Sequence, residues 1–530
     1  MKYPSRTLSL LVAGALLVSM AGCSSNTASS SASSAAASVL AAEESTLSLA
    51  GATAFTFTDS GISAAEGDYS GYAIEGTALT INAPGTYVLS GSCADGSVTI
   101  KAETEGVTLV LNGLDLTSTT TAPIVCGKST GVTIAVYGGT QNTLADTAAN
   151  DKDGTNASAD AESAVLKCKD GSQVVLCGSG TLNITAAGKN GIKSGTENEG
   201  RAASLTIREL TLNIDAPVND AINAEQSLEV ESGTLNISAG DDALHSDYTL
   251  NIGAADTAGP AITISACNEG LEGAALNIFS GTIDITATDD CLNAANGDLT
   301  DYAFSMNISG GTINAYTSGG DGLDSNGSMT ISGGNITVWT ANTADNQPLD
   351  ADGTITITGG TVLAAGGSAG MGYTIDASQG YVTYGGMGTD NTVRLTNGSA
   401  FTITDASGST VYSGTALCDA NYLFYCAADL AADSEYTLAA GSTTLAAATA
   451  QTGTTRANFG GMGGGTPGMT PPDAANGQTP PAMNGGAPGG QAPDGQGGTP
   501  PEKPAGSPSG TPPEMPAQNN ATSQAEIAAG

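Results

Sequence analysis

Acidic side chains recur in short sequence segments, each centred on one aliphatic residue, which we call acidic phrases. The type and spacing of these side chains suit them to binding a cation. Two phrases contain adjacent acids, Asp241-Asp242 and Asp289-Asp290. Calcium accepts six to eight oxygen ligands from carboxylates, amide carbonyls and water at flexible geometry. We therefore interpret the paired acids and their neighbours in adjacent phrases as candidate calcium ligands: Asp220, Asp241, Asp242, Asp289, Asp290 and Asp321.

The remaining acids of these phrases are candidate contacts for a bound substrate: Asp247, Glu269, Glu272, Asp324, Asp350 and Asp352. Residues 209–393 contain 24 Asp and Glu, no Lys or Arg, and one histidine, His245. Two like charges about 5 Å apart repel by roughly 0.8 kcal/mol in water and about 3 kcal/mol at an effective dielectric of 20. An external cation would relieve this repulsion, and zinc would find almost no nitrogen or thiolate here. Acidic turn residues on a solvated surface are the alternative interpretation.

The phrases follow a repeat that predicts the fold. Their aliphatic centres are 30, 22, 27, 21, 31 and 26 residues apart, and each follows a short strand such as Gly233-Thr-Leu-Asn-Ile. The centres are Ile192, Ile222, Leu244, Leu271, Leu292, Leu323 and Leu349. One such coil cannot bury its apolar face alone, whereas stacked coils form a continuous core. The sequence therefore predicts an all-β protein built on a parallel β-helix, with the acids in a column.

The domain organisation follows from changes in this pattern. The parallel β-helix is predicted for residues 51–391, with a longer excursion between Asp146 and Glu162. Residues 392–450 are predicted to form a small antiparallel β unit that caps the open end. Residues 451–530 are rich in Gly, Pro and Met without periodicity, and we expect a disordered tail.

The amino-terminal segment predicts export. Lys2 and Arg6 precede an apolar run from Leu8 to Met20, which is too short for a membrane span and typical of a signal peptide over residues 1–22. The small residues before Cys23 resemble the lipobox of bacterial lipoproteins, which implies lipidation of Cys23 and a flexible linker over 23–50. We therefore expect a location on the extracellular face of the cell membrane, with the membrane contacted only through the lipid.

The net charge limits the classes of partner. The formal net charge of −38 excludes nucleic acid and anionic lipid as plausible partners.

Eight cysteines follow Cys23, and the sequence leaves open whether they pair. Cys418 and Cys426 are close enough for a local bridge, and buried free thiols are the alternative. We expect a monomer, because a capped β-helix needs no partner to complete its sheet.

Several segments resemble the clostridial carbohydrate-binding β-helix lipoproteins. They include Gly85-Thr-Tyr-Val-Leu-Ser-Gly-Ser, Leu109-Val-Leu-Asn-Gly-Leu-Asp-Leu and Asp241-Asp-Ala-Leu-His-Ser-Asp, and the likeness runs from about Ala73 to Leu445. The resemblance implies a right-handed parallel β-helix, calcium ions along its side, and binding of acidic polysaccharide such as polygalacturonate, with cellulose as a further ligand. It also implies similarity to the calcium-dependent pectate lyases of polysaccharide lyase family 9.

The lyase pattern is only partly present. Asp220 with Asp241 and Asp242 matches the lyase arrangement of one Asp a coil before an Asp pair, but no lysine occurs between Lys193 and Lys503 to act as the base. His245 is interpreted as a solvated turn residue. We therefore assign no catalytic residue and expect a polysaccharide-binding protein. The alternatives are an adhesive or structural surface protein without a glycan ligand, and a calcium-dependent lyase-like enzyme.

Overall fold

The computed structural model describes residues 49, 51–65, 70–299, 302–341, 346–367, 374–385 and 393–456. The predicted signal peptide, Cys23, nearly all of the linker and the chain beyond residue 456 lie outside these residues. In the described part, no helix has the length and apolarity that crossing a membrane requires.

The chain alternates buried aliphatic and outward polar residues, and this period of two produces strands. In Thr211–Ala216, the leucine, isoleucine and alanine are buried while the intervening residues reach the surface. Each strand pairs in parallel with the strand one coil later, so Leu212 lies beside Leu235, and Leu235 beside Ile262. The stacked coils form a parallel β-helix, as the sequence predicts.

Three faces make up each coil. The strands of the first face are Ala78–Ile81, Ser97–Ile100, Ile124–Cys126, Ala164–Cys168, Asn190–Ser194, Ile222–Ala224, Leu292–Ala294 and Leu323–Ser325. The strands of the second face are Thr53–Thr58, Gly131–Val136, Gln173–Gly178, Ser204–Ile207, Ser227–Val230, Ser305–Ile308, Ser328–Ile331, Thr354–Ile357 and Thr374–Gly385. The strands of the third face are Gln141–Ala145, Thr181–Thr185, Thr211–Ala216, Thr234–Ala239, Ala261–Ala266, Thr282–Ala287, Thr312–Thr317, Asn335–Thr340 and Thr361–Gly366.

Four longer strands turn a corner between faces. Leu244–Ile252 and Leu271–Ile278 run from the first face into the second, and Gly85–Cys93 and Val107–Thr117 run from the second into the third. The predicted excursion after Asp146 is present as a loop with a short 3-10 turn, Ala148–Asn150.

The core is a column of aliphatic side chains from all three faces, and most of them are fully buried. Asparagines on the outer surface of the third face reinforce the register. Asn213 Nδ2 donates to Asn183 Oδ1 at 2.8 Å, and Asn236 Nδ2 donates to Asn213 Oδ1 at 2.8 Å. The eight cysteines of the described part form no disulfide with one another, and seven are buried. The local Cys418–Cys426 bridge that the sequence leaves open is therefore not formed.

The two ends of the β-helix are closed by antiparallel strands. Gly61–Ala64 pairs with Thr53–Thr58, and Tyr72–Glu75 pairs with Ala78–Ile81. At the other end, Tyr422–Cys426 pairs antiparallel with strands of the third and second faces.

The predicted cap is a four-stranded antiparallel sheet. Its strands, in spatial order, are Thr410–Thr415, Ala400–Asp405, Glu435–Ala440 and Thr443–Thr449. Trp339 of the β-helix is buried against Phe401 of the cap, with ring centroids 5.9 Å apart. The strand Gln451–Arg456 then pairs with Thr374–Gly385, although the sequence places these residues in the tail. Ordered backbone pairing thus continues at least to Arg456, because the second face still needs a partner at its open edge.

Candidate metal and carbohydrate site

The acidic phrases lie on the first face, where the register aligns them in two columns. The aliphatic centres pair from coil to coil, as Ile222 does with Leu244 and Leu244 with Leu271. The leading column consists of the residues two positions before the centres: Asn190, Asp220, Asp242, Glu269, Asp290, Asp321 and Gln347. The trailing column consists of the residues one position after the centres: Lys193, Asn223, His245, Glu272, Asn293, Asp324 and Asp350.

Backbone hydrogen bonds keep the columns straight. The N–H of Ala221 donates to Asp242 O at 2.9 Å, that of Ala243 donates to Glu269 O at 2.9 Å, and that of Gly270 donates to Asp290 O at 2.9 Å. The ladder continues with donation from Gly322 to Gln347 O at 2.8 Å. Side chains of neighbouring coils are therefore about 4.8 Å apart, close enough for their charges to interact strongly.

The trailing column changes sign along its length. Lys167 lies one coil before the column, at the strand position beside Lys193, and Lys193 lies beside Asn223 of the next coil. Lys193 forms an ion pair with Glu225 at 2.9 Å. From Asn223 onwards the column contains no further lysine, and carboxylates follow. The face is thus basic in its early coils and acidic in its later ones.

His245 lies in the middle of three carboxylates, which we call the histidine cluster together with Asp242, Asp247 and Glu272. Its Nδ1 is 3.0 Å from Asp242 Oδ2 and also contacts Glu272 Oε2, while Nε2 is 2.9 Å from Asp247 Oδ1. Only 17% of the His245 side chain is exposed. The expectation of a solvated turn residue is wrong, because His245 lies on a strand between Asp242 and Asp247 of its own coil, and stacking adds Glu272 from the next coil.

Electrostatics make His245 a cation. Burial lowers the pKa of His245, but hydrogen bonds to Asp242, Asp247 and Glu272 outweigh it and raise the pKa to about 12. Burial would raise the pKa of Glu272, but the hydrogen bond and charge of His245 hold that pKa below its usual value. In the metal-free cluster both ring nitrogens therefore donate hydrogen bonds, although ligand atoms of Asp242, His245 and Glu272 also lie within 4.8 Å of one another, as those of a metal site would. The imidazolium supplies the positive charge that these acids need.

Asp220, next to this cluster, is also satisfied by the protein. Its Oδ2 accepts from Asn223 Nδ2 at 2.6 Å and its Oδ1 accepts from the backbone N–H of Asp242 at 3.3 Å. Burial is the main cause of its raised pKa.

The middle coils carry a second acidic group without an internal cation. Asn293 Nδ2 donates to Glu269 Oε2 at 3.0 Å, and the backbone N–H of Asp321 donates to Asp290 Oδ1 at 2.6 Å. Burial and neighbouring charges raise the pKa of both Glu269 and Asp290 to about 7. Asn293 is 9% exposed, and its buried Oδ1 has no hydrogen-bond partner.

Asp321, Asp324 and Asp350 form the aspartate cluster, with one carboxylate oxygen of each lying within 4.8 Å of the others. Oxygens that share a calcium ion at about 2.4 Å can be up to about 4.8 Å apart. Gln347, which is 3% exposed, joins the cluster by donating its backbone N–H to Asp321 Oδ1 and its Nε2 to Asp350 Oδ2 at 3.0 Å. The arrangement fits a hard cation with oxygen ligands.

Two further observations point to such a cation. Burial raises the pKa of Asp321 to about 6 and that of Asp324 to about 7, and the adjacent carboxylates add to both shifts. The Oε1 of Gln347 is buried without a hydrogen-bond partner. An unpaired buried acceptor costs about 1 to 3 kcal/mol, and an ion would satisfy it while relieving the repulsion between the acids.

The acids that form sequence pairs separate in space. Asp242 and Asp290 enter the leading column, whereas their partners Asp241 and Asp289 are exposed beside it. Asp352 is also exposed. At the next coil Gly320 crosses directly over the Asp289-Asp290 pair, and a Cβ at this glycine would lie 2.4 Å from Asp290 Oδ1.

Comparison with known proteins places this architecture in a family. The family model of carbohydrate-binding domain-containing proteins matches residues 75–370 and 255–452, which together cover more than half of the 530 residues. The chain belongs to this family. The search of curated proteins gives no match. Among solved structures, the chain is similar to a polysaccharide lyase-like protein from C. thermocellum, with 21% identity over 57% of this chain and 96% of that chain and a TM-score of 0.32.

For this member of the carbohydrate-binding family, sequence reasoning overlooked some residues of the columns. Neither Gln347 nor Asn293 is among the candidate residues that the sequence predicts. Both could have been found from position alone, since Gln347 stands two residues before Leu349 and Asn293 stands one residue after Leu292. The offset from the aliphatic centre is therefore a better guide to the site than the presence of paired acids.

Proposed function

We propose that this member of the carbohydrate-binding family holds acidic polysaccharide against the first face of its β-helix through calcium. The aspartate cluster carries the proposal. Three half-buried carboxylates converge there without a basic side chain, and the buried Oε1 of Gln347 has no partner. Asp321, Asp324, Asp350 and Gln347 would hold the ion.

The ligand class follows from the electrostatics of this face. The column repels a polyanion such as polygalacturonate, so uronate carboxylates can approach only where a cation stands between them and the protein. Calcium commonly has more ligands than the four side chains supply, which leaves positions for a sugar carboxylate. Acidic polysaccharide would therefore bind only when calcium is present.

Binding without cleavage is the function that the column favours. β-Elimination of a uronate needs a base close to the metal-bound sugar. Lys193 is the last lysine of the trailing column and is paired with Glu225. It lies five coils from Asp324, which is about 24 Å at the strand spacing. We propose that the protein is not an enzyme and acts as a monomer.

We further propose that the β-helix is held at the extracellular face of the membrane by lipid on Cys23. The support is the apolar segment and small residues that precede this cysteine in the sequence. Incorporation of labelled fatty acid into the wild-type chain, and its loss in a Cys23→Ser variant, would test the anchor independently of the sugar site.

The function is tested by calorimetric titration of calcium into the chelator-treated, full-length chain, followed by polygalacturonate with and without calcium. We expect calcium to bind, and the polysaccharide to bind only when calcium is present. The Asp321→Asn/Asp350→Asn variant should lose both signals. The matched control, Asp215→Asn/Asp256→Asn, removes two exposed carboxylates outside the columns and should keep both.

Two outcomes would contradict the proposal. If calcium does not bind, the column is a solvated acidic face, and an adhesive or structural role without a glycan ligand becomes the better interpretation. If unsaturated uronates accumulate during long incubation, as measured by ultraviolet absorbance, the protein is a lyase.

A further inference from the structure

The exposed aromatic side chains of this β-helix are unevenly distributed. In the described part of the chain, the exposed aromatic residues are Tyr137, Tyr248, Phe279 and Tyr302. Tyr248 and Tyr302 are 54 residues apart in sequence, yet their ring centroids are 6.2 Å apart with an interplanar angle of 69°. Phe304 extends the group, with its ring 5.5 Å from that of Tyr302. We call these three residues the aromatic platform.

Two local features of the chain build the platform. The strand Leu244–Ile252 has a register irregularity between Ser246 and Thr249, so Asp247 and Tyr248 stand opposite the single residue Ala274 of the next coil. Two coils after Tyr248, Tyr302 and Phe304 lie at the same corner, directly before the strand Ser305–Ile308.

The platform adjoins the acidic columns. Asn296 Nδ2, just after the strand Leu292–Ala294, donates to Asp247 O at 2.9 Å at the bulge. The carboxylate of Asp247 in turn accepts from His245 Nε2 at 2.9 Å. One hydrogen-bonded path thus joins the trailing column to the residue that precedes Tyr248. The corner therefore places exposed rings beside hydrogen-bonding groups.

The chemistry of the rings selects the ligand. An aromatic face carries negative potential, and the axial C–H groups of a pyranose ring carry weak positive potential on a flat apolar surface. Tyrosine adds a hydroxyl that can bind sugar hydroxyls at little entropic loss. The exposed faces of these rings do not contribute to the core, and a cluster of exposed apolar groups usually marks a contact surface.

We infer that Tyr248 and Tyr302 form a stacking subsite for a pyranose ring of the bound polysaccharide, next to the acidic columns. The inference rests on the proposed function in one respect: the ring stacked here belongs to the same chain that calcium holds on the first face. The subsite itself needs no metal, so it also accepts neutral sugar rings. It supplies affinity that does not depend on charge.

The test uses the full-length chain and two probes, an oligogalacturonate with calcium and cellohexaose with chelator. Saturation-transfer NMR reports contact between protein and cellohexaose, and calorimetry reports oligogalacturonate affinity. We expect Tyr248→Ala/Tyr302→Ala to lose the cellohexaose signal and to bind oligogalacturonate about tenfold more weakly, because central aromatic contacts dominate such affinities. Calcium affinity should not change.

Two variants serve as controls. Tyr137→Ala removes a tyrosine that is 37% exposed elsewhere and should bind both sugars like the wild type. Tyr248→Phe/Tyr302→Phe keeps the rings and should retain most of the binding, while unchanged calcium affinity in the alanine variant excludes a folding defect.

The outcomes separate this inference from the proposed function. Cellohexaose binding that the alanine variant loses, without any calcium-dependent oligogalacturonate binding, would support the platform and refute the proposed function. Equal binding of both probes by the alanine variant and the wild type would overturn the platform. Failure of the wild type to bind either sugar would overturn it as well.

Discussion

The histidine cluster and the aspartate cluster occupy equivalent positions three coils apart, yet they balance their charge differently. Each has one carboxylate from the leading column and two residues from the trailing column whose ligand atoms lie within 4.8 Å of one another. In the first, the trailing residue His245 is a cation between acids. In the second, the same position is occupied by Asp324, so all three groups are acids.

The difference shows how a repeat can vary function without varying backbone. His245 and Asp324 have the same offset from Leu244 and Leu323, and both face a neighbour about one strand spacing away. Replacing the histidine by an aspartate changes the cluster by two charges. A cluster with an internal cation then becomes a cluster without one.

The largest expected effect is therefore loss of calcium from the aspartate cluster. Asp321→Asn/Asp350→Asn leaves one carboxylate but preserves an acceptor oxygen at each site, including the one that binds the Gln347 N–H. Since calcium affinity follows the charge of its ligands, we expect a decrease of roughly 1,000-fold, about 4 kcal/mol, by calorimetry.

Glu272→Gln is the matched change in the histidine cluster. It should leave the tightest calcium affinity within about threefold of the wild type, because His245 already occupies the electrostatic centre of that cluster. If Glu272→Gln instead removed the tight site, the comparison between the clusters would be reversed.

Removal of the internal cation should have the next largest effect. His245→Gln leaves Glu272, which is 15% exposed, without its positive partner and beside Asp242, whose pKa burial already raises to about 8. Breaking a buried pair from one side costs about 3 kcal/mol or more. We expect the free energy of unfolding in chelator to fall by about 3 kcal/mol, measured by urea denaturation at pH 7.5.

Calcium provides the decisive arm of this experiment. It should stabilise His245→Gln more than it stabilises the wild type, since the vacated centre of the cluster can then accept an ion. A loss of stability that calcium does not reduce would mean that His245 acts through packing rather than charge.

The two clusters should also differ in their pH dependence. Asp321 and Asp324 have folded pKa values raised to about 6 and about 7, so the calcium-free folded chain holds protons that the unfolded chain releases above about pH 4. The free energy of unfolding should therefore fall as the pH rises from about 4 to about 7. His245, with its folded pKa raised to about 12 from 6.5, contributes stability below pH 6.5 that is lost as the pH rises toward 12.

Urea midpoints in chelator between pH 4 and pH 10 would resolve these two windows. Asp324→Asn should reduce the total fall in the free energy of unfolding between pH 4 and pH 7 by about 1 to 2 kcal/mol, a figure that allows for its partial exposure, and should leave the fall at alkaline pH unchanged. His245→Gln should instead reduce the fall in the free energy of unfolding at alkaline pH and leave the fall between pH 4 and pH 7 unchanged. Equal effects of both variants across the whole range would show that the clusters titrate as one unit.

The β-helix was predictable because its signal is periodic. Strand alternation and the regular spacing of the aliphatic centres predict the stacking, and the pairing of Ile222, Leu244 and Leu271 confirms it. The final strand Gln451–Arg456 was not predictable, since its short Thr-rich sequence is stabilised only by the edge of Thr374–Gly385.

The site was predictable in composition but not in detail. Counting acids predicts a charged column, yet which acid of a pair faces that column depends on the bend before the aliphatic centre. The state of His245 depends on three carboxylates contributed by two coils, which no local pattern reveals. The aromatic platform depends on one bulge and on residues two coils later, so the sparse aromatic content concealed it.

The smallest expected effect tests whether paired acids differ as their positions indicate. Asp290 is half-buried with its pKa raised to about 7, and it accepts a hydrogen bond from the Asp321 N–H at 2.6 Å. Asp289 is exposed. We expect Asp289→Asn to change calcium affinity by less than about twofold, as is usual for exposed charges, whereas Asp290→Asn should change it several-fold in calorimetry. If the two variants were equivalent, the ion would lie over the pair rather than along the column, and the contrast between the histidine and aspartate clusters would lose its geometric basis.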